Sequence, residues 1–133
     1  MISYTDDMST LEASQLRGFF VGWPAPPSPE QHLAVLRGSY YAVVAMEGDG
    51  RAVGFINMIS DGVLTAFIPW LEVLPEHQGQ GIGRELVSRA LKAAESFYSV
   101  DLLCDPQLQP YYEKLGMRPV PGMGLRNWSA LRG

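Results

Sequence analysis

The chain contains one cysteine, Cys104. That excludes an internal disulfide framework and makes a reducing, cytoplasmic setting the expectation. Histidine is scarce too. His32 and His77 stand far apart, and no His/Cys/carboxylate spacing suggests a zinc site, so no metal is expected. No apolar run approaches the length needed to span a membrane. The opening residues Met1 to Asp7 lack the basic and apolar regions of a secretory leader. A membrane partner is therefore not expected. Basic charge is in short supply: 10 Lys and Arg against 14 Asp and Glu leave a net charge of −4. Nucleic-acid binding calls for a basic face, so nucleic acid is not an expected partner either.

What remains is an ordinary globular composition, with 47% hydrophobic and 18% charged residues among 133. This length predicts one domain, residues 1–133, able to bury a core without metals or cross-links. Ile2 and Tyr4 suggest a short first strand, and Ser9 to Phe20 reads as a helix with Leu11, Leu16 and Phe20 on a shared face. The prolines between Gly22 and Pro29 forbid regular structure. Ser28 then caps a second helix, with Pro29 at its first position, Gln31 completing a capping box and Gly38 ending it.

Tyr40–Met46 and Ala52–Ile59 are β-prone runs joined by a hairpin carrying Asp49-Gly50. Val63–Leu74 is a third extended run, which Pro69 interrupts and so marks for an edge, bulge or break. From Ile82 the stripe Ile82, Leu86, Val87, Ala90, Leu91, Ala94 predicts a helix with one buried side. Val100–Cys104 reads as a short strand, Asp105 caps a further helix closed by Gly116, and Met117 onward holds one or two short β segments. The class is α+β: a mixed sheet with helices on both faces.

Between the third strand and its helix lies Gln78-Gly79-Gln80-Gly81-Ile82-Gly83-Arg84. Strand, glycine loop and helix in that order make an anion cradle, because the first amides of a helix lack partners and its dipole favours phosphate. The dinucleotide fingerprint G-x-G-x-x-G fails in both frames, ending on Arg84 or Leu86, and the P-loop fails because Arg84 and Glu85 follow Gly83. The pattern Q/R-x-x-G-x-G/A does fit, filled by Gln78, Gly81 and Gly83.

Here the sequence resembles the coenzyme A loop of the GNAT superfamily of N-acetyltransferases. A second segment, Tyr111-Tyr112-Glu113-Lys114-Leu115-Gly116-Met117, resembles the other hallmark of that family, in the same order and at the family's spacing. The run Leu102-Leu103-Cys104-Asp105 with Pro110-Tyr111-Tyr112 looks like the arylalkylamine N-acetyltransferase branch.

The resemblance implies the GNAT fold, a mostly antiparallel mixed sheet with splayed central strands. It also implies transfer of the acetyl group of acetyl-CoA to a primary amine by direct attack in a ternary complex. The cofactor would lie on Gln78, Gly79, Gln80, Gly81, Ile82, Gly83 and Arg84, and along Leu71, Val73 and Leu74 of the strand before them, with an amide near Val73 or Leu74 polarising the thioester carbonyl. Tyr112 takes the place of the family tyrosine near the coenzyme sulfur and would act as general acid. Glu72, on the strand face opposite Leu71 and Val73, is the candidate base.

Tyr111 reads as core, Cys104 as a small buried hydrophobe, His77 as a surface residue of the loop, and His32 as alone on a surface helix. Trp23 reads as a peg that holds its loop down, or as a wall for a cationic acceptor. A Pro-rich lid over a pocket favours a small-molecule amine, and the net negative charge is compatible with one. The alternatives are a protein N-terminus or lysine as acceptor, and a non-catalytic acyl-CoA sensor. The apolar alternation in Met123 to Trp128 predicts a tail that joins a homodimer.

Overall fold

The computed structural model describes residues 1–132. Its elements are β1 (Ile2–Thr5), α1 (Pro29–Gly38), β2 (Tyr41–Glu47), β3 (Ala52–Ser60), β4 (Thr65–Val73), α2 (Ile82–Ala93), β5 (Ser99–Asp101) and α3 (Gln109–Glu113), with short 3₁₀ turns between them. The strands form one sheet in chain order. β1 to β4 are antiparallel, and β5 returns through α2 to lie parallel to β4. This is the expected α+β class, and strand alternation serves both of its faces.

Val43, Ala45, Val53, Ile56 and Met58 point to the face covered by α2, where Ile82, Leu86, Val87 and Ala90 meet them. Ala42, Val44 and Phe55 point to the other, under Leu11, Leu16, Phe19, Phe20 and Leu36. α2 lies close on the sheet because Gly54 lacks a side chain. A Cβ there would stand 3.2 Å from Ile82 Cγ2 and 3.3 Å from both the Glu72 carbonyl and Leu86 Cδ1.

The capping box of α1 forms as expected: Ser28 Oγ accepts from the Gln31 amide at 3.1 Å, and Gln31 Oε1 from the Ser28 amide at 2.9 Å. The helix expected over Ser9–Phe20 does not form. Asp7 gathers the amide and hydroxyl of Ser9 into one tight turn, Met8–Thr10, and Gln15 folds back on the Glu12 amide in a second, Ala13–Leu16. These local side-chain bonds compete with helix formation. Leu11, Leu16, Phe19 and Phe20 are nevertheless all buried.

His32 is a second correction. It faces the core at 1% exposure, its ring centroid 4.2 Å from that of Phe55, 5.0 Å from Phe20 and 5.3 Å from Phe19. At the C-terminal end, β5 stops at Asp101 and no strand follows it among the described residues. The expected β segments beyond Met117 have no neighbouring strand to pair with. Met123 and Leu125 there are 98% and 88% exposed.

Candidate active site

Where β4 ends, the chain makes a 3₁₀ turn at Pro75–His77 and enters the glycine loop. The turn is fastened to the β2–β3 hairpin, His77 Nε2 meeting Glu47 Oε1 at 3.2 Å and Arg51 approaching Glu76 at 3.8 Å. His77 is thus half-buried and tethers the loop. The side chain of Gln78 donates to the Val73 carbonyl at 3.0 Å, which closes the loop on itself.

Gly79 and Gly81 have φ of +79° and +83°, and Gly81 is the N-cap of α2. A side chain at either would be strained in that left-handed region, although nothing crowds the position. The first helical bond of α2 runs from the Glu85 amide to the Gly81 carbonyl at 3.1 Å. Among the described residues, the amides of Gly79, Gln80, Gly81, Ile82, Gly83 and Arg84 reach no protein acceptor. This is a cradle of unpartnered donors at the positive end of a helix dipole, and it suits a phosphate or pyrophosphate. Arg84 is exposed on its rim.

Beside the cradle the sheet opens. β4 pairs with β5 only through Thr65, Ala66 and Phe67, and then runs on to Val73 without it. Pro69 marks the departure: with Ile68 it stands opposite the single residue Met58, which makes a β-bulge in β4. Beyond the bulge, the Leu74 amide donates to the Val53 carbonyl at 2.9 Å. Antiparallel alternation therefore turns Glu72 and Leu74 towards β3, and the amides of Leu71 and Val73 towards the opening. The Val73 carbonyl, taken by Gln78, lies on that open side as this requires. Leu74 is thereby corrected as an amide donor, since its N–H is spent within the sheet and its side chain is buried.

On the other face of β4 is a cleft of about 360 Å³ lined by Phe20, Val21, Trp23, Trp70, Glu72 and Gln78, among others. Trp23 and Trp70 meet edge to face with centroids 5.3 Å apart. Glu72 Oε1 accepts from the Phe20 amide at 2.7 Å and Oε2 from the Val21 amide at 3.3 Å. It is the one carboxylate on the cleft lining.

A glycine cradle before a helix, next to a parted pair of strands, agrees with what comparison shows. The sequence matches the Acetyltransferase (GNAT) family over residues 8–117. The chain belongs to the GNAT acetyltransferase family. That places this domain among the acetyl-CoA-dependent acetyltransferases. The crystal structure of a provisionally assigned acetyltransferase from Deinococcus radiodurans R1 is 39% identical, with a TM-score of 0.95 over 99% of this chain and 92% of that one.

An uncharacterized N-acetyltransferase, ycf52, of the alga Gracilaria tenuistipitata is 29% identical over 105 residues. The chloroplastic GCN5-related N-acetyltransferase 2 of Arabidopsis thaliana is 29% identical over 122 residues. Both alignments take in 76% of this chain, and 58% and 47% of those proteins. The chain thus spans about half the length of the curated relatives it matches.

Within this GNAT domain the two tyrosines of α3 point to different places. Their rings stand at 86° with centroids 5.1 Å apart. Tyr112 shares a second cavity with Leu102, Cys104 and Met117, and burial, with smaller contributions from Cys104 and Tyr111, pushes its phenol up to about 12. It therefore keeps its proton at neutral pH.

Tyr111 is not plain core. Its hydroxyl lies 3.3 Å from the place a Gly83 Cβ would take, next to Val73, so its tip reaches the start of α2. Burial raises its phenol, and the charge of Arg84 offsets part of that. The sequence signal for this was present in Gly83, whose missing side chain makes room for the hydroxyl. Cys104 is half-buried in the Tyr112 cavity.

Proposed function

We propose that this domain transfers the acetyl group of acetyl-CoA to the primary amine of a small molecule, by direct attack within a ternary complex. The observation that carries this reading is the run of unpartnered amides from Gly79 to Arg84 beside the opening between β4 and β5. The pyrophosphate fits those donors, each hydrogen bond to a charged group contributing about 1.5–3 kcal/mol. When bound, acetyl-CoA supplies an activated acetyl group and a thiolate leaving group.

The chain's own residues supply the rest. The Leu71 and Val73 amides face the opening and are placed to donate to an acyl oxygen there, the kind of preorganised donor that dominates acyl transfer. Tyr112, protonated at neutral pH, is the candidate acid for the leaving thiolate. The ammonium proton leaves on the cleft side to water, since both oxygens of Glu72 are taken up by the Phe20 and Val21 amides.

The small cleft and its aromatic walls Phe20, Trp23 and Trp70 support a small amine with an apolar body over a protein acceptor. A cytoplasmic setting, in keeping with the lone thiol, belongs to the same proposal. So does pairing of two copies through the exposed apolar tail residues Met123, Leu125 and Trp128.

Thermal unfolding with acetyl-CoA, CoA and NAD added separately tests the reading. A ligand held by the native state alone stabilises it by about 2.7 kcal/mol at 100 times its Kd. A rise with both coenzyme A species and none with NAD, followed by amine-dependent release of free thiol, is the expected result. No rise from a protein free of copurified coenzyme would refute it.

A further inference from the structure

The wall of the cleft is built from two distant parts of the chain, and one carboxylate joins them. Glu72 lies on β4, while Phe20 and Val21 come from the loop before α1. Their amides converge on its two oxygens at 2.7 and 3.3 Å. Phe20 sits at φ +61°, the single residue other than glycine with positive φ among those described. For a side chain of this bulk that conformation is strained and persists only where its surroundings enforce it.

The turn is closed by the Trp23 amide on the Phe20 carbonyl at 3.2 Å. It delivers Trp23 against Trp70, which lies on the same face of β4 as Glu72. Phe20 completes the group, its centroid 5.1 Å from Trp23 and 6.2 Å from Trp70. Among the described residues, no other hydrogen bond ties residues 18–23 to the sheet.

Given that the cleft receives the acceptor, as proposed above, we infer that Glu72 is a positioning residue. Its carboxylate pins the Phe20–Trp23 turn and so sets the aromatic wall against which the amine is oriented. The chemistry demands an acceptor-only group. A carboxylate offers lone pairs to both amides, whereas the amide of a glutamine would offer one oxygen and turn an N–H donor on the second.

The test needs no substrate at first. Amide hydrogen exchange is followed residue by residue in the coenzyme-free protein, for wild type, Glu72→Gln and Glu72→Ala. In the wild type the Phe20 and Val21 amides should exchange more slowly than that of Gly22, although Val21 lies at the surface. In both variants they should exchange faster by about tenfold or more, with the amides within α2 unchanged.

Kinetics with an accepted amine should then show KM raised about tenfold in Glu72→Gln, with kcat and the shape of the pH profile retained. Unchanged exchange would overturn the inference. So would a collapse of kcat with loss of the acidic limb at constant KM, which would make Glu72 the base. Accelerated exchange in a protein that binds no coenzyme A would uphold the clamp and sink the acetyltransferase reading. Should neither variant fold, fast exchange of Phe20 and Val21 in the wild type would overturn it by itself.

Discussion

Acidification should weaken this protein through His32 before it touches the carboxylates. The ring is buried among Phe19, Phe20 and Phe55, and neither nitrogen has a hydrogen-bond partner. Burial depresses its pKa from 6.5 to about 4. Between those values the unfolded chain binds a proton that the native state refuses, so stability falls as pH falls. The contribution is complete above the unfolded value of 6.5, is lost progressively towards about 4, and changes no further below that. A shift of this size corresponds to about 3 kcal/mol, at 1.36 kcal/mol for each pH unit. Domains are typically stable by only about 5–15 kcal/mol, so the loss is large.

Two acidic groups act lower. Asp61 is held below its usual value by the amides of Leu64, Val63 and Thr65, and Asp7 by the hydroxyl and amide of Ser9. Each favours the native state above the ordinary carboxylate value and loses that as pH falls through its depressed one, so their losses begin where that of His32 ends. Urea unfolding, followed by tryptophan fluorescence from about pH 7 to about pH 4, compares wild type with His32→Leu. The variant removes an unpartnered buried polar group, so at neutral pH it should be as stable or more stable. Its advantage should grow by about 3 kcal/mol across the window, since contributions from Asp61 and Asp7 cancel in the difference. Parallel pH curves for the two proteins would refute the reasoning.

Gly81→Ala places a side chain at φ +83° on the N-cap of α2. It should cost about 1–2 kcal/mol of stability and weaken coenzyme A binding about tenfold, both read from thermal unfolding with and without ligand. Gly54→Ala meets Ile82, Leu86 and the Glu72 carbonyl at 3.2–3.3 Å, so overpacking should lower urea stability by about 1–3 kcal/mol. Tyr112→Phe should reduce kcat by about 10²-fold or more and leave coenzyme affinity in place, by steady-state kinetics and calorimetry. Unchanged turnover at saturating substrate would leave Tyr112 a packing residue.

The parts legible in the sequence are those whose physics is local. Ser28, Pro29 and Gln31 announced the start of α1 because a capping box is closed within one turn. Gln78 to Arg84 announced the cradle because strand end, positive-φ glycines and helix start follow one another in the chain. Even Pro69 pointed to its bulge, since a missing N–H restricts where a strand residue can sit. What was misread depends on contacts far away in sequence. Helical periodicity over Ser9–Phe20 is real as a pattern of burial, but the turns of Asp7 and Gln15 divide it, and the sheet collects the apolar residues without a helix. His32 looked exposed because nothing near it in the chain names the phenylalanines that enclose it.

The same division runs through the site. The coenzyme side is encoded in one continuous stretch. It can be recognised by its spacing, and its free amides follow one another in the chain. The cleft proposed for the acceptor is assembled across a separation of about fifty residues by Glu72 and the loop it holds. Changes in that loop alter the wall of the cleft, while the free amides of Gly79 to Arg84 follow the same end of β4 and are fastened by bonds of their own through His77 and Gln78. That is why the sequence announces the glycine cradle, whereas the Phe20–Trp23 wall proposed for the acceptor is legible only in the fold.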